Sequence, residues 1–254
     1  MTRLFSFALM AGTTLLIAAA PQARAEDKPV FDDTQKQAIE KIIAEYLVSS
    51  PKIVMDAAEA YQRNQEKIQT DSVMDKVKER SEEIFNDPTS PVVGNKTGDV
   101  TIVEFFDYNC GYCKIAFQDI QTLIEEDKNL RVVLKELPIL SESSAHGARY
   151  ALAADKQGKY WEFHQFMMKN GANGDDKQME SLAKEVGIDF KKLKKDAEGP
   201  EIRAVIEKNM ALARDVGFTG TPGFVVGDTP MRGHYGIDAM RKAIADKRAQ
   251  HKTE

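Results

Sequence analysis

The sequence predicts an α/β protein: a mixed sheet flanked by helices and interrupted by a helical insertion, with a separate α-helical arm in front of it. Three observations predict this. Short apolar, β-branched runs at 92–93, 100–107, 130–139 and 223–226 have the length and spacing of strands. Residues 141–199, lying between two of those runs, carry their apolar side chains at helical period instead. Before residue 88 there is no strand pattern, only two amphipathic helical stripes. With 254 residues, 42% hydrophobic and 30% charged, the chain can bury one good core and a smaller appendage.

Residues 1–25 carry Arg3, then an apolar run at 4–20, then Ala23-Arg24-Ala25, the pattern of a secretory signal peptide cleaved after Ala25. The run is short for a membrane span, and the cleavage pattern after it argues against an anchor. Cleavage removes Arg3 and Arg24 and takes the net charge from −5 to −7. A protein this acidic is a poor partner for nucleic acid or anionic membrane surfaces. Export places the chain in the periplasm, where thiols meet an oxidising environment.

Residues 26–88 form the arm. Asp32 and Asp33 cap a helix whose Ile39, Ile42, Ile43, Tyr46 and Leu47 make one stripe, and Pro51 starts a second, longer helix. Along it Val54, Tyr61 and Ile68 recur at heptad spacing with Ala57 and Ala58 between them. The register slips at Thr70-Asp71-Ser72, a candidate hinge; Met74, Val77, Ile84 and Phe85 resume it on another phase, and Asn86-Asp87-Pro88 ends the helix. A hairpin this thin cannot bury both stripes by itself. It packs against the main domain or, the favoured expectation, against other copies as a homodimer or homotrimer.

The main domain, 89–254, opens with the edge strand 92–93 and a turn at 96–99. The central strand at 100–107 runs straight into a helix at 110–127, followed by a parallel strand at 130–139. At that junction sit Cys110 and Cys113, the only two cysteines of the protein. A helix N-terminus presents unpaired N–H groups and the positive end of the dipole, which favour the thiolate of Cys110. Cys113 lies in the first turn, within reach of Cys110 but sheltered. The pattern divides the work between an attacking and a resolving thiol. A zinc half-site is the first competing reading, but it needs two further ligands, and His146, His164, His234 and His251 show no paired spacing. A structural disulfide is the second, although so short a loop removes little chain entropy. Chance spacing is the third. Redox chemistry fits best, and no metal or cofactor is expected.

Two charges stand in apolar strands. Glu104 lies six residues before Cys110, and Lys135 lies within Val132-Val133-Leu134-Lys135-Glu136-Leu137. An isolated buried charge costs several kcal/mol, so if both strands are central the two pair with each other. The alternative is Lys135 facing solvent near a strand end. In the insertion, Ser143-Ser144-Ala145-His146 begins one helix, and Tyr160, Trp161, Phe163 and Phe166 cluster in the next, where His164 reads as a packing or surface residue. A loop at 171–174 precedes short helices at 175–186, closed by Gly187, and at 189–197. Lys191, Lys192, Lys194 and Lys195 make a solvated face. Pro200 starts a helix that Gly217 stops. Gly220-Thr221-Pro222 then opens a strand, a context that predicts a cis Thr221–Pro222 bond and a Thr221 backbone free to meet an extended client strand. A turn at 227–230, a return strand at 231–234 and a helix at 238–249 complete the chain.

Glu104-Phe105-Phe106 with Cys110-x-x-Cys113, the helical block and Gly220-Thr221-Pro222 together resemble the DsbA-like branch of the thioredoxin superfamily, from residue 91 to the C-terminus. The arm, with Phe31-Asp32-Asp33-Thr34-Gln35 leading in, resembles that of the suppressor-of-copper-sensitivity C proteins. The resemblance implies a thioredoxin fold, with Cys110 as nucleophile, Cys113 as resolving thiol, Pro222 as the cis-proline and Glu104 as the buried acid that handles the Cys113 proton. Strongly oxidising members carry proline and histidine where this chain has Gly111-Tyr112. The missing cation argues against an extreme oxidant. The function implied is a periplasmic thiol-disulfide oxidoreductase acting on exported, cysteine-containing clients, an isomerase or reductase kept reduced by a membrane reductase. One alternative is a DsbA-type oxidase recharged by a quinone-linked membrane partner; another, of a different class, is a holdase chaperone or a Cu(I)-binding protein with the thiols as ligands.

Overall fold

The computed structural model describes residues 30–251. The signal segment read at 1–25 and the first residues of the arm lie outside them. The chain divides into two compact units between Ala60 and Tyr61, inside one helix.

The first unit holds α1 (Asp33–Ser49) and the opening turns of α2 (Pro51–Glu79). A capping box starts α1: the Asp32 carboxylate accepts the Gln35 N–H at 2.8 Å, and the Gln35 side chain accepts the Asp32 N–H at 3.0 Å. Pro51 occupies the first position of α2, where its missing N–H costs nothing. No residue of α1 is buried, and Ile42 stays 64% exposed.

In the second unit α2 runs without a break through Thr70-Asp71-Ser72. The slipped register coincides with the point where the helix begins to bury residues. From Val73 onward the helix is tied down, with Val73 and Val77 buried beside Val103, Phe105 and Phe218. The helix expected to continue to residue 85 is interrupted at Arg80, whose guanidinium binds Glu83 and Asp215. The short α3 (Ser81–Phe85) then inserts Ile84 into the same cluster.

The sheet has the order β1-β3-β2-β4-β5. β2 (Val100–Phe106) and β3 (Leu130–Glu136) are parallel and joined through α4 (Gly111–Glu126), while β1 (Val92–Gly94), β4 (Gly223–Val226) and β5 (Thr229–Arg232) pair antiparallel. Both faces of β2 and β3 are covered, which is why they read as continuous apolar runs. Alternation sorts the side chains. Ile102, Phe106, Val132, Leu134, Phe224 and Val226 face a cluster built with α4, the insertion helices α5 (Glu142–Asp155), α6 (Tyr160–Asn170), α7 (Asp176–Val186) and α8 (Phe190–Ala197), and α10 (Ile237–His251). Val103, Phe105, Val133 and Val225 face the end of α2, α3, Phe218 and the last turns of α9 (Pro200–Asp215).

The largest departures from the expected strand limits are at β3 and β5. β3 stops at Glu136 rather than 139, because Pro138 has no N–H to donate and Leu137 N–H closes on the Phe106 carbonyl at 2.8 Å. The hairpin turn is tighter than expected: Thr229 and Pro230 already belong to β5, where an edge strand tolerates proline.

Candidate active site

The site begins with the loop 107–110, which β2 delivers to the N-terminus of α4. The buried Asp107 carboxylate holds this loop from three sides: Oδ1 accepts from Asn109 N–H at 2.8 Å and Ser144 Oγ at 2.7 Å, and Oδ2 from Leu140 N–H at 3.0 Å. The Asn109 side chain reaches the insertion, accepting from Ala172 N–H at 2.9 Å and donating to Ser143 Oγ at 3.0 Å. Gly171 lets the insertion approach this closely. A Cβ there would lie 3.1 Å from Asn109 Oδ1, and its φ of +76° suits glycine alone.

Cys110 is the N-cap of α4, with extended backbone and 8% of its surface exposed; Cys113, one turn inside, has none. The two thiols are free of disulfide bonding. The Cys110 thiol donates to the Thr221 carbonyl oxygen at 3.2 Å, across the cis Thr221–Pro222 bond that the Gly-Thr-Pro context predicts. Among the described residues the Thr221 N–H has no acceptor, and Thr221 Oγ1 is buried without a partner. Gly111 has open space around it, and Tyr112 is 66% exposed.

Glu104 is buried on the same face, with Oε1 unpartnered. Burial, reinforced by the Cys110 thiolate, pushes its carboxyl up to about 8. Burial and the Glu104 charge together push the Cys113 thiol far above its ordinary value. Glu104 and Cys113 thus form a buried pair in which each resists ionisation.

Lys135 lies elsewhere. The parallel register sets Glu104 beside Leu134 and Phe105 beside Lys135, so the two charges point to opposite faces of the sheet and do not pair. Nor does Lys135 face water. Its Nζ donates to the Glu83 carbonyl at 2.6 Å and Ser90 Oγ at 2.8 Å, with Asp87 at 3.7 Å. Burial lowers it to about 8 against the pull of Asp87.

The residue on the Glu104 face is Glu136, which the sequence reading passed over. Its Oε1 accepts from Tyr108 OH at 2.8 Å and Tyr160 OH at 2.9 Å. Tyr108 OH also meets His164 Nδ1 at 3.1 Å. Burial raises the Glu136 carboxyl well above the usual range and drops His164 to about 3, so the imidazole is neutral. Which of Tyr108 OH and His164 Nδ1 donates follows from the His164 tautomer and from where Glu136 carries its proton. Strand parity was the available signal, since Glu136 stands opposite Phe106 as Leu134 stands opposite Glu104.

The model of a DSBA-like thioredoxin domain matches residues 101–245. The chain belongs to the DsbA-like thioredoxin family. A second model, the copper resistance protein ScsC N-terminal domain, matches residues 35–67 of the arm. Among solved structures of DsbA-like and related proteins, a thioredoxin-like oxidoreductase from Silicibacter pomeroyi is 45% identical, with a TM-score of 0.63 over 66% of this chain and 97% of that one. Proteus mirabilis ScsC in a transitional conformation is 25% identical, with a TM-score of 0.63 over 87% of this chain and 100% of that one. Disulfide bond formation protein D of Bacillus subtilis is 24% identical over 166 residues, 61% of this chain and 75% of the relative. The Na(+)/H(+) antiporter NhaA of Herminiimonas arsenicoxydans also matches, 26% identical over 67% of this chain, but the chain spans only 28% of its length.

Proposed function

We infer that the protein is a periplasmic thiol-disulfide oxidoreductase that reduces and reshuffles disulfides of exported proteins through Cys110 and Cys113. The observation that carries this reading is the Cys110 thiol against the Thr221 carbonyl at 3.2 Å, with Cys113 fully buried one turn behind it. The Cys110 thiolate attacks one sulfur of a client disulfide; that S–S bond breaks, the other client sulfur leaves as thiolate, and a mixed disulfide forms. Cys113 must then lose its proton. Glu104, pushed up to about 8, takes that proton in its ionised form, as a stronger base than an ordinary carboxylate. The Cys113 thiolate attacks Cys110 Sγ, the client departs as a dithiol, and a Cys110–Cys113 disulfide remains. A membrane reductase supplies the two electrons and two protons that reset it. In isomerisation a second client thiolate attacks the mixed disulfide instead, and the enzyme leaves reduced.

The unfilled Thr221 N–H supports docking of the client as an extended strand. Isomerase is preferred to oxidase because residues 26–88, whose first helix buries nothing, join two or three protomers and so bring several sites to one client. The absence of a cation at Gly111-Tyr112 points the same way. The arm's match to a copper resistance protein favours one second reading, Cu(I) held by the two thiolates. Insulin reduction, scrambled-ribonuclease refolding and Cu(I) affinity are to be measured on wild type and on the double variant Cys110→Ser, Cys113→Ser. Loss of both catalytic activities in the variant is expected; client protection without any thiol dependence would replace the enzyme by a holdase.

A further inference from the structure

A depression of about 260 Å³ opens beside the reacting sulfur, between Phe218 and the turn Thr219-Gly220-Thr221-Pro222 on one side and Arg232-Gly233 on the other. Thr221 contributes both to its wall and to the carbonyl that receives the Cys110 thiol. Whatever enters it is therefore a neighbour of the attacked disulfide. Arg232 is the one charged residue among the lining residues.

The guanidinium is exposed yet anchored. Nη1 donates to Gln69 Oε1 at 3.2 Å and Nη2 to the Gln69 carbonyl at 3.5 Å, both on α2. A neutral amide holds it, so its charge is not spent. Among the described residues no carboxylate lies within ion-pair distance of Arg232, as is also true of Arg131, Arg203 and Arg214, whereas Arg80, Arg149, Arg241 and Arg248 each have one. A guanidinium offers five N–H donors in a planar fork that matches a carboxylate, and one already positioned loses less freedom on binding.

We propose that Arg232 is a specificity-determining residue that selects clients bearing a Glu or Asp side chain next to the attacked cysteine. The proposal rests on the oxidoreductase reading above. The net charge, −5 for the whole sequence and −7 after the expected cleavage, repels acidic clients at long range. Screening separates the two effects: near 0.15 M salt the Debye length is about 8 Å, so the distant repulsion fades while a direct contact persists.

Three peptides, each with one disulfide and differing only in Glu, Gln or Lys beside the cysteine, are reduced in single turnover by the reduced full-length protein. Cys110 and Cys113 supply the two electrons and end as a disulfide. In about 0.3 M salt the Glu peptide should react about three- to tenfold faster than the Lys peptide, the scale of a partly exposed charge-assisted contact. Arg232→Gln should bring that ratio to about one, and Arg232→Glu should invert it. The ratio is internal to each protein, so partial loss of folded material does not mimic the result. An unchanged ratio in both variants would overturn the assignment of Arg232. No turnover of the Gln peptide by wild type would overturn the oxidoreductase reading, and this one with it.

Discussion

Glu104 sits where a carboxylate is costly, and its cost depends on pH with a definite sign. Its carboxyl moves from an ordinary 4.5 in the unfolded chain to about 8 in the folded one. The folded state therefore binds the proton more tightly. No penalty exists below about pH 4.5; it grows as pH rises and is complete above pH 8, where it reaches on the order of 5 kcal/mol. Glu104→Gln, which cannot ionise, should leave stability unchanged at pH 4.5 and raise it progressively towards pH 8, as read by urea unfolding of the reduced protein. A gain independent of pH would mean that the carboxyl titrates normally. The same variant should slow resolution of a Cys110 mixed disulfide more than its formation, since only Cys113 needs the proton acceptor; equal slowing of both steps in stopped-flow would leave Glu104 structural. Both cysteines, Glu104 and the Thr221–Pro222 bond were legible in the sequence because each depends on local pattern. Glu136 and its hydroxyl partners were not, because Tyr108, Tyr160 and His164 come together only when α6 lies on the sheet.

At the scale of elements, the parity of one strand decides the fate of Lys135. Reading β2 and β3 as buried made a Glu104–Lys135 pair plausible, but the parallel register puts odd and even residues on opposite faces. Lys135 instead ties β3 to α3 and to the segment at 87–90, through Glu83, Asp87 and Ser90. Lys135→Met should cost about 2 to 3 kcal/mol in urea unfolding. It leaves the Glu83 carbonyl without its donor, but Asp87 keeps Lys208 at 3.0 Å and the Thr89 N–H and hydroxyl, which keeps the loss below that of a fully orphaned buried charge. Insulin reduction should change by less than about twofold, because Lys135 faces away from the thiols. A large fall in activity at unchanged stability would restore a link to Glu104. The arm teaches a related lesson. Its helices were legible from caps and periodicity, but the burial of Val73, Val77 and Ile84 was not, because it depends on strands far along the chain.

At the scale of the whole molecule, the unanswered demand is the apolar surface of the first unit. Ile39, Ile42, Ile43, Tyr46, Leu47, Ile53, Val54 and Met55 are all exposed, and α1 has no buried residue. Burying each such side chain gains about 1.5 to 3 kcal/mol, so a handful of them outweighs the freedom lost when protomers associate. Full-length protein should sediment as a dimer or trimer at about 10 μM, and replacing Ile42 and Tyr46 together by Asp should yield a monomer. The two activities should then separate. Insulin reduction uses one Cys110–Cys113 pair and should survive. Scrambled-ribonuclease refolding gains from a second site held at high effective concentration and should fall by about tenfold or more. A wild-type protein that sediments as a monomer at micromolar concentration would remove the assembly. Refolding activity that persists in the monomeric variant would show that a single site suffices, and the arm would no longer favour isomerase over oxidase.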